Sequence, residues 1–265
     1  MMQADALLRY EVEAQNLSRT SENKIHDDDV ARQFGFTGAL VPGVEVYAYA
    51  CHLPVEAWGR EWLQRGVIEC RFAKPVYDAR PVQVTAEPQG EVLAIRIESG
   101  GVICASATAR LAEPAAPTLE QYPPLPPPID RPPADDVSLA QGRMLGAITR
   151  EMTDEDAQWY LDGVRETEPL YRRERIVHPG RVLRLCNNVL MDNVVLGPWI
   201  HVGSKVRNLS IAHVGESLSV RARVANNYEK KGHRFVDLDA LVIGKGERPI
   251  AHVLHTAIYQ LRAPD

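Results

Sequence analysis

The chain has 265 residues, enough for two domains on the usual span of roughly 100–200 residues each. Its 45% hydrophobic and 25% charged residues are those of a chain that buries a full core, which excludes a disordered or fibrous protein. The net charge is −5, and the 30 Lys and Arg are scattered among 35 Asp and Glu, which excludes the basic footprint that a nucleic-acid partner demands.

The opening "MMQADALLRYEVEAQ" has no basic region leading into an apolar one, and no run reaches the ~18 uninterrupted apolar residues of a membrane span. A cytoplasmic protein with no membrane partner is expected. Cys51, Cys70, Cys104 and Cys186 show no C-x-x-C spacing and are expected to be reduced core residues. Next along the chain is "TSENKIHDDDVARQFGFTGALVPG", where one of the three aspartates caps a short helix "DVARQF", the others favour its positive end, and Gly35 closes it.

"VEVYAYACHL" (44–53) repeats apolar residues at i, i+3, i+4 and i+7 through Val44, Tyr47, Ala48 and Cys51, while Val46, Ala50 and Leu53 fill the other side. A helix apolar all round is buried all round. The runs "GVIECRF", "PVQVTAE", "VLAIRIES" and "VICASATARL" then read as strands, with "ESGG" as a hairpin turn. Residues 112–135 hold nine of the chain's 19 prolines, which forbids helix and sheet and sets a linker at 113–136 between units 1–112 and 137–265.

The second unit repeats the first at an offset of about 136 residues: "LVPGVEVYAYACHL" faces "VHPGRVLRLCNNVL", and "RFAKPVYDARPVQV" faces "RNLSIAHVGESLSV". Its helix carries the same stripe in Val182, Leu185, Cys186 and Val189, with Arg181, Arg184, Asn187 and Asn188 making a wetter face. Strands "WIHVGSKV", "SLSVRARV", "RFVDLDALVI" and "AHVLHTAIYQL" follow, with "IGKGER" as a turn. An antiparallel sheet curled around a central apolar helix satisfies this order, because the helix buries every face and the sheet one. The expected fold is α+β: a double hotdog, with two antiparallel sheets each wrapped around its own helix. Sheet edges left over in such a unit are an expected place for association into a homodimer.

Residues 21–84 resemble the MaoC-like acyl dehydratase and hydratase group of the hotdog superfamily. The likeness rests on Asn23-Lys24-Ile25-His26, on Ala31 and Gly35-Phe36, on Val41-Pro42-Gly43 and on Arg71-Phe72-Ala73-Lys74-Pro75-Val76. The second unit resembles the fold only, since "TREMTDEDAQWYLDGV" carries no Asn-x-x-His. Ser21 stands where the group has an acidic residue five positions before its histidine, and Pro42 where it has a second histidine. The resemblance implies an acyl-thioester hydratase or dehydratase with a small-molecule thioester of coenzyme A or phosphopantetheine as substrate. Asn23 would hydrogen-bond the loop or the thioester.

Adding water to an unsaturated thioester takes a group that activates water, a proton for the α-carbon, and donors for the enolate oxygen. His26 suits either proton role, its ordinary pKa being ~6.5. The backbone N–H of Gly43 or Val44, at the start of the buried helix, suits the oxygen. Ser21 orients a water or the histidine, and Glu22 is the nearest substitute for the missing acid. Arg172, Arg173 and Arg175 of "YRRER", with Arg181 and Arg184, are candidates for phosphate binding. His52 reads as a satisfied core imidazole, and His178 as a residue facing the first unit's site. No zinc spacing, phosphate loop or dinucleotide fingerprint occurs, so no cofactor is expected. A thioesterase on the same fold, and an acyl-ligand binder without activity, are the competing readings.

Overall fold

The computed structural model describes residues 7–113 and 115–262. Strands β1 (Leu8–Glu13), β2 (Gly66–Phe72), β3 (Pro81–Gln89), β4 (Val92–Ser99) and β5 (Val102–Leu111) come from the first half of the chain. Strands β6 (Ile148–Glu151), β7 (Ile200–Asn208), β8 (Ser217–Lys230), β9 (His233–Ile243) and β10 (Pro249–Gln260) come from the second. Most strands alternate buried and more open positions, with Val82, Val84 and Ala86 of β3 turned inward, whereas residues 238–243 of β9 are buried throughout.

The strands run β1-β3-β4-β5-β2-β7-β10-β9-β8-β6, all neighbours antiparallel. The second five mirror the first five about the β2–β7 pair. That pair corrects the expectation of two separate sheets: Ile68 lies opposite Val206 and Cys70 opposite Ser204, so one ten-stranded sheet crosses the molecule. Pairing β2 with β7 satisfies backbone groups that two free edges would leave to solvent.

Helix α1 (Asp28–Gln33) is capped by the Asp27 carboxylate, which accepts the amides of Asp29 and Val30 at 3.0 and 3.2 Å. Gly35 ends it at φ +82°, where a side chain would be strained. Helix α2 (Gly43–Arg65) is longer than its periodic core suggests: it continues past Pro54, losing one backbone bond, and breaks at Gly59. All of Val44–Val55 is buried. Helices α3 (Asp154–Gly163) and α4 (Pro169–Arg173) lead to α5 (Pro179–Asn193). Helix α2 packs on β1–β5 and on β7, α5 packs on β6, β8 and β10, and the two helices pack on each other. Gly180 makes the crossing possible, since a Cβ there would lie 2.7 Å from the Ala48 methyl carbon and 2.3 Å from the Tyr160 hydroxyl.

Of the four polar residues expected on the wetter face of α5, Asn187, Asn188 and Arg184 are half-buried and Arg181 is buried. Arg181 is buried against Asp156 at 2.8 Å, and Arg184 pairs with the wholly buried Glu45 of α2 while also holding the Ser18 hydroxyl at 2.9 Å. The proline-rich segment lies along the second half: Pro132 and Ala134 bond to Val195, Leu125 to Ala147, and the buried Tyr122 hydroxyl donates to Asp239 at 2.6 Å. Among the described residues no helix is long and apolar enough to cross a membrane.

Candidate functional site

The loop before α2 folds around Ile25, which is fully buried with Ala31 and Leu40 against Phe34, Phe36 and Ile200 of β7. Asn23 anchors it. Its carboxamide oxygen accepts the backbone N–H of Trp199 (3.2 Å) and of Ile25 (3.3 Å), and its nitrogen donates to the Trp199 carbonyl (2.9 Å). One buried side chain thereby clips the loop to the second half of the chain, so Asn23 serves the loop.

His26 ends the single 3-10 turn that Asn23 caps. Its Nδ1 lies 2.7 Å from the Leu40 carbonyl, which can only accept, so Nδ1 carries the proton and Nε2 is bare. The one contact of Nε2 is long, 3.3 Å from the Asn23 amide nitrogen. Burial, partly opposed by the Leu40 bond and reinforced by Arg184, pushes the imidazole down to about 4, so it is a neutral base at physiological pH.

His26 opens on a cavity of about 230 Å³. Its walls are mostly apolar, with Leu40, Val46, Phe72 and Ile258 among them, and both halves of the chain contribute. Gly43 lines it at the first turn of α2, behind Pro42, and among the described residues no acceptor reaches the amides of Gly43 or Val44. Gly43 is also held bare by its surroundings, because a Cβ would sit 2.8 Å from Nδ1 of His201 and 3.0 Å from its carbonyl oxygen. Val44 is fully buried and is not part of the wall.

Of the other residues expected here, none faces the cavity. Ser21 donates to the Asn23 carbonyl at 3.2 Å. Glu22 points outward to Arg131 at 3.0 Å, which holds its carboxyl below the usual range, and so cannot replace the missing acid. Among the described residues no Asp or Glu lines the cavity. The arginines are spent on acids: Arg172 on Asp162 (2.8 Å), Arg173 on Glu174 (3.3 Å) and Arg175 on Asp154 (2.5 Å), all on the surface around α3 and α4. The expectation of a phosphate site there is corrected, since each cation already has a local carboxylate. Among the described residues Lys74, at the exposed rim, is the Lys or Arg that reaches the cavity.

His178 caps α5 by accepting the Gly180 amide at 3.0 Å, and does not face the first half's site. Its Nε2 donates to Glu166 at 3.3 Å, and His52 of α2, stacked on Tyr10 at 3.7 Å, donates to the other carboxylate oxygen at 2.7 Å. Burial alone would raise the Glu166 pKa, but the two imidazoles outweigh it and hold the carboxyl far below its ordinary value. At the matching place in the second half only about 20 Å³ remains, with Pro179, Leu183 and Ala212 standing for Pro42, Val46 and Val76. The duplication therefore has one open cavity and one filled.

Three wall residues escaped the sequence reading: Asn187 on α5, His201 on β7 and His233 on β9. Only His201 carries a signal, and it is faint: a polar side chain at a buried position of a strand. It follows Ile200 and is 4% exposed.

No family model matches the chain, and no curated protein does. Solved structures do. A conserved hypothetical protein of Mycobacterium tuberculosis, described as essential for bacterial survival during infection and as having a double hotdog fold, matches with a TM-score of 0.68 at 13% identity, over 97% of this chain and 96% of its own. A protein described as a MaoC domain dehydratase of Chloroflexus aurantiacus matches at 0.63 and 10% identity, over 98% and 96%. One described as an oleoyl thioesterase of Lactobacillus plantarum matches at 0.56 and 11% identity, over 98% of both chains. At these identities the likeness establishes the fold alone: the chain has a double hotdog fold along nearly its whole length, similar to that of proteins described as MaoC-like dehydratases.

Proposed function

We infer that this double hotdog is an acyl-thioester hydratase or dehydratase whose single site is the cavity between the His26 loop and the second half of the chain. The observation that carries the reading is the convergence, on one apolar cavity, of an unprotonated Nε2 on His26 and the unpartnered N–H of Gly43 at the start of α2. An apolar pocket with a few convergent polar groups suits an acyl chain with one reactive end. The thioester oxygen would lie on the Gly43 amide, where the helix dipole favours growing negative charge. His26 Nε2 would take a proton from water as its oxygen bonds to the β-carbon, and the enolate would then be protonated at the α-carbon.

The test uses an enoyl-CoA with the parent protein and with His26→Ala, following loss of the conjugated double bond and release of free thiol together. Loss of the double bond, slowed ~10²–10⁴-fold in the variant, is the expected result. Thiol release in place of double-bond loss would make the protein a thioesterase, and retained binding with neither change would make it an acyl binder.

A further inference from the structure

The cavity has a floor. Among the described residues, helix α2 lines it only with Gly43 and Val46, and helix α5 only with Asn187. Past these three the helices close on each other, where Gly180 lets α5 approach Ala48. Gly43 and Val46 lie three residues apart on one face of α2, so Val46 is a turn further along the helix than the amide that suits the thioester oxygen. Gly43 is half-buried and Val46 is 4% exposed. The rim is at the other end, where Lys74 is exposed and Phe36, Pro75 and Leu261 are half-buried. A chain that enters at the rim and passes Gly43 therefore runs toward Val46.

The second half shows what a larger residue does at that depth. Leu183 stands one turn past Gly180 as Val46 stands one turn past Gly43, and the space beside it is about 20 Å³ against about 230 Å³. Other exchanges on the lining go the opposite way: Val177 stands for Leu40, Asn208 for Phe72 and Ala212 for Val76, each smaller. Leu183 is the larger residue on the helix, with Ile211 standing for Pro75 on the facing loop.

The volume sets a length. A closed apolar cavity of about 150 Å³ takes a six-carbon ring, so about 230 Å³ takes roughly nine heavy atoms. Three of these are the carbonyl carbon, its oxygen and the sulfur, which leaves roughly six carbons of chain beyond the carbonyl. A longer chain has to double back to the rim or push Val46 into a helix that is buried on every side, and close-packed interiors resist such added volume.

We propose that the cavity selects thioesters of short and medium acyl chains, up to about eight carbons, and that Val46 is the specificity-determining residue that sets this limit. The proposal rests on the reading of the cavity as an acyl-thioester site and names the substrate class of that site.

The test measures binding of S-alkyl coenzyme A thioethers from S-butyl to S-hexadecyl, which can be neither hydrated nor hydrolysed. In the parent, affinity should rise roughly fourfold per methylene from butyl to octyl and stop rising beyond it. Val46→Leu, a residue that the second half already carries at the matching place, should weaken the octyl ligand about fourfold or more and leave the butyl ligand unchanged. Val46→Ala should tighten the decyl ligand about tenfold, and it carries the test alone if Val46→Leu does not fold. Leu183→Ala, which opens the second half's filled space, should leave the series as it is in the parent. Affinity that climbs evenly through hexadecyl, a break that stays in place in Val46→Ala, or a break that moves in Leu183→Ala overturns the proposal. A break that moves with Val46 in a protein without action on enoyl-CoA upholds the proposal and rejects the hydratase. Hydration of enoyl-CoA with an evenly climbing series does the reverse, and failure to bind either the thioethers or enoyl-CoA overturns both.

Discussion

At His26 two short facts decide the chemistry. The Leu40 carbonyl selects the tautomer, and burial holds the ring down to about 4. On the proposed hydration, kcat/KM should therefore stay level through pH 6.5, where an ordinary histidine would titrate, and fall only near pH 4 as Nε2 takes up a proton. A pH profile with its acidic limb at 6–7 would place the working base elsewhere. The imidazole itself was legible because an Asn-x-x-His sits before a glycine and a buried helix. Its tautomer was not, since it depends on a carbonyl 14 residues away.

Between the two central helices the deciding contact is the ion pair of Glu45 and Arg184, buried and backed by Ser18. Taken singly, the residues mislead: Glu45 is a lone acid in an apolar helix, and Arg184 looks like a surface cation. Brought together they satisfy each other, and removal of one partner leaves the other charged and dry. Arg184→Met should cost about 3–5 kcal/mol of unfolding free energy, whereas the double change Glu45→Leu with Arg184→Met should cost far less, because no uncompensated charge remains. Denaturant unfolding of the two variants and the parent measures the difference. Equal losses in both would mean that the pair contributes packing rather than charge compensation.

Across the whole molecule, Glu166 joins the halves by accepting from His52 of α2 and from His178, the cap of α5. Its carboxyl is held far below its ordinary value in the folded chain. The stability it supplies is complete above the unfolded value of about 4.5 and is lost as pH falls through that value toward the folded one. His26, His201 and His255 act earlier. Their folded pKa values lie below 6.5, so the unfolded chain takes up protons first and stability declines from pH 6.5 downward. Unfolding free energy should accordingly drop in two steps, the first from pH 6.5 and the second below 4.5. Glu166→Gln should be less stable than the parent at pH 7 and should lack much of the second step. A variant that follows the parent over both ranges would show that the cluster does not link the halves.

Sequence alone determined the parts of this protein that repeat along the chain: the apolar stripe of 44–53, its partner in 182–189, the alternating strands, and the likeness of the halves at an offset near 136. These patterns are local, because a helix or strand face is spelled by neighbours two, three or four residues apart. It also singled out His26 and Gly43, whose place beside the buried helix is local too. Only the tertiary structure decided that β2 and β7 pair into one sheet, that Glu22 and the arginines of 172–175 are turned away from the cavity, and that His201 enters it. Apart from the arginines, which are neutralised by carboxylates close by in the chain, those outcomes depend on contacts between segments 100 or more residues apart, such as Glu22 with Arg131 and Asn23 with Trp199. A linear pattern carries no term for them, since a polar side chain is recruited or neutralised by whatever the fold sets beside it.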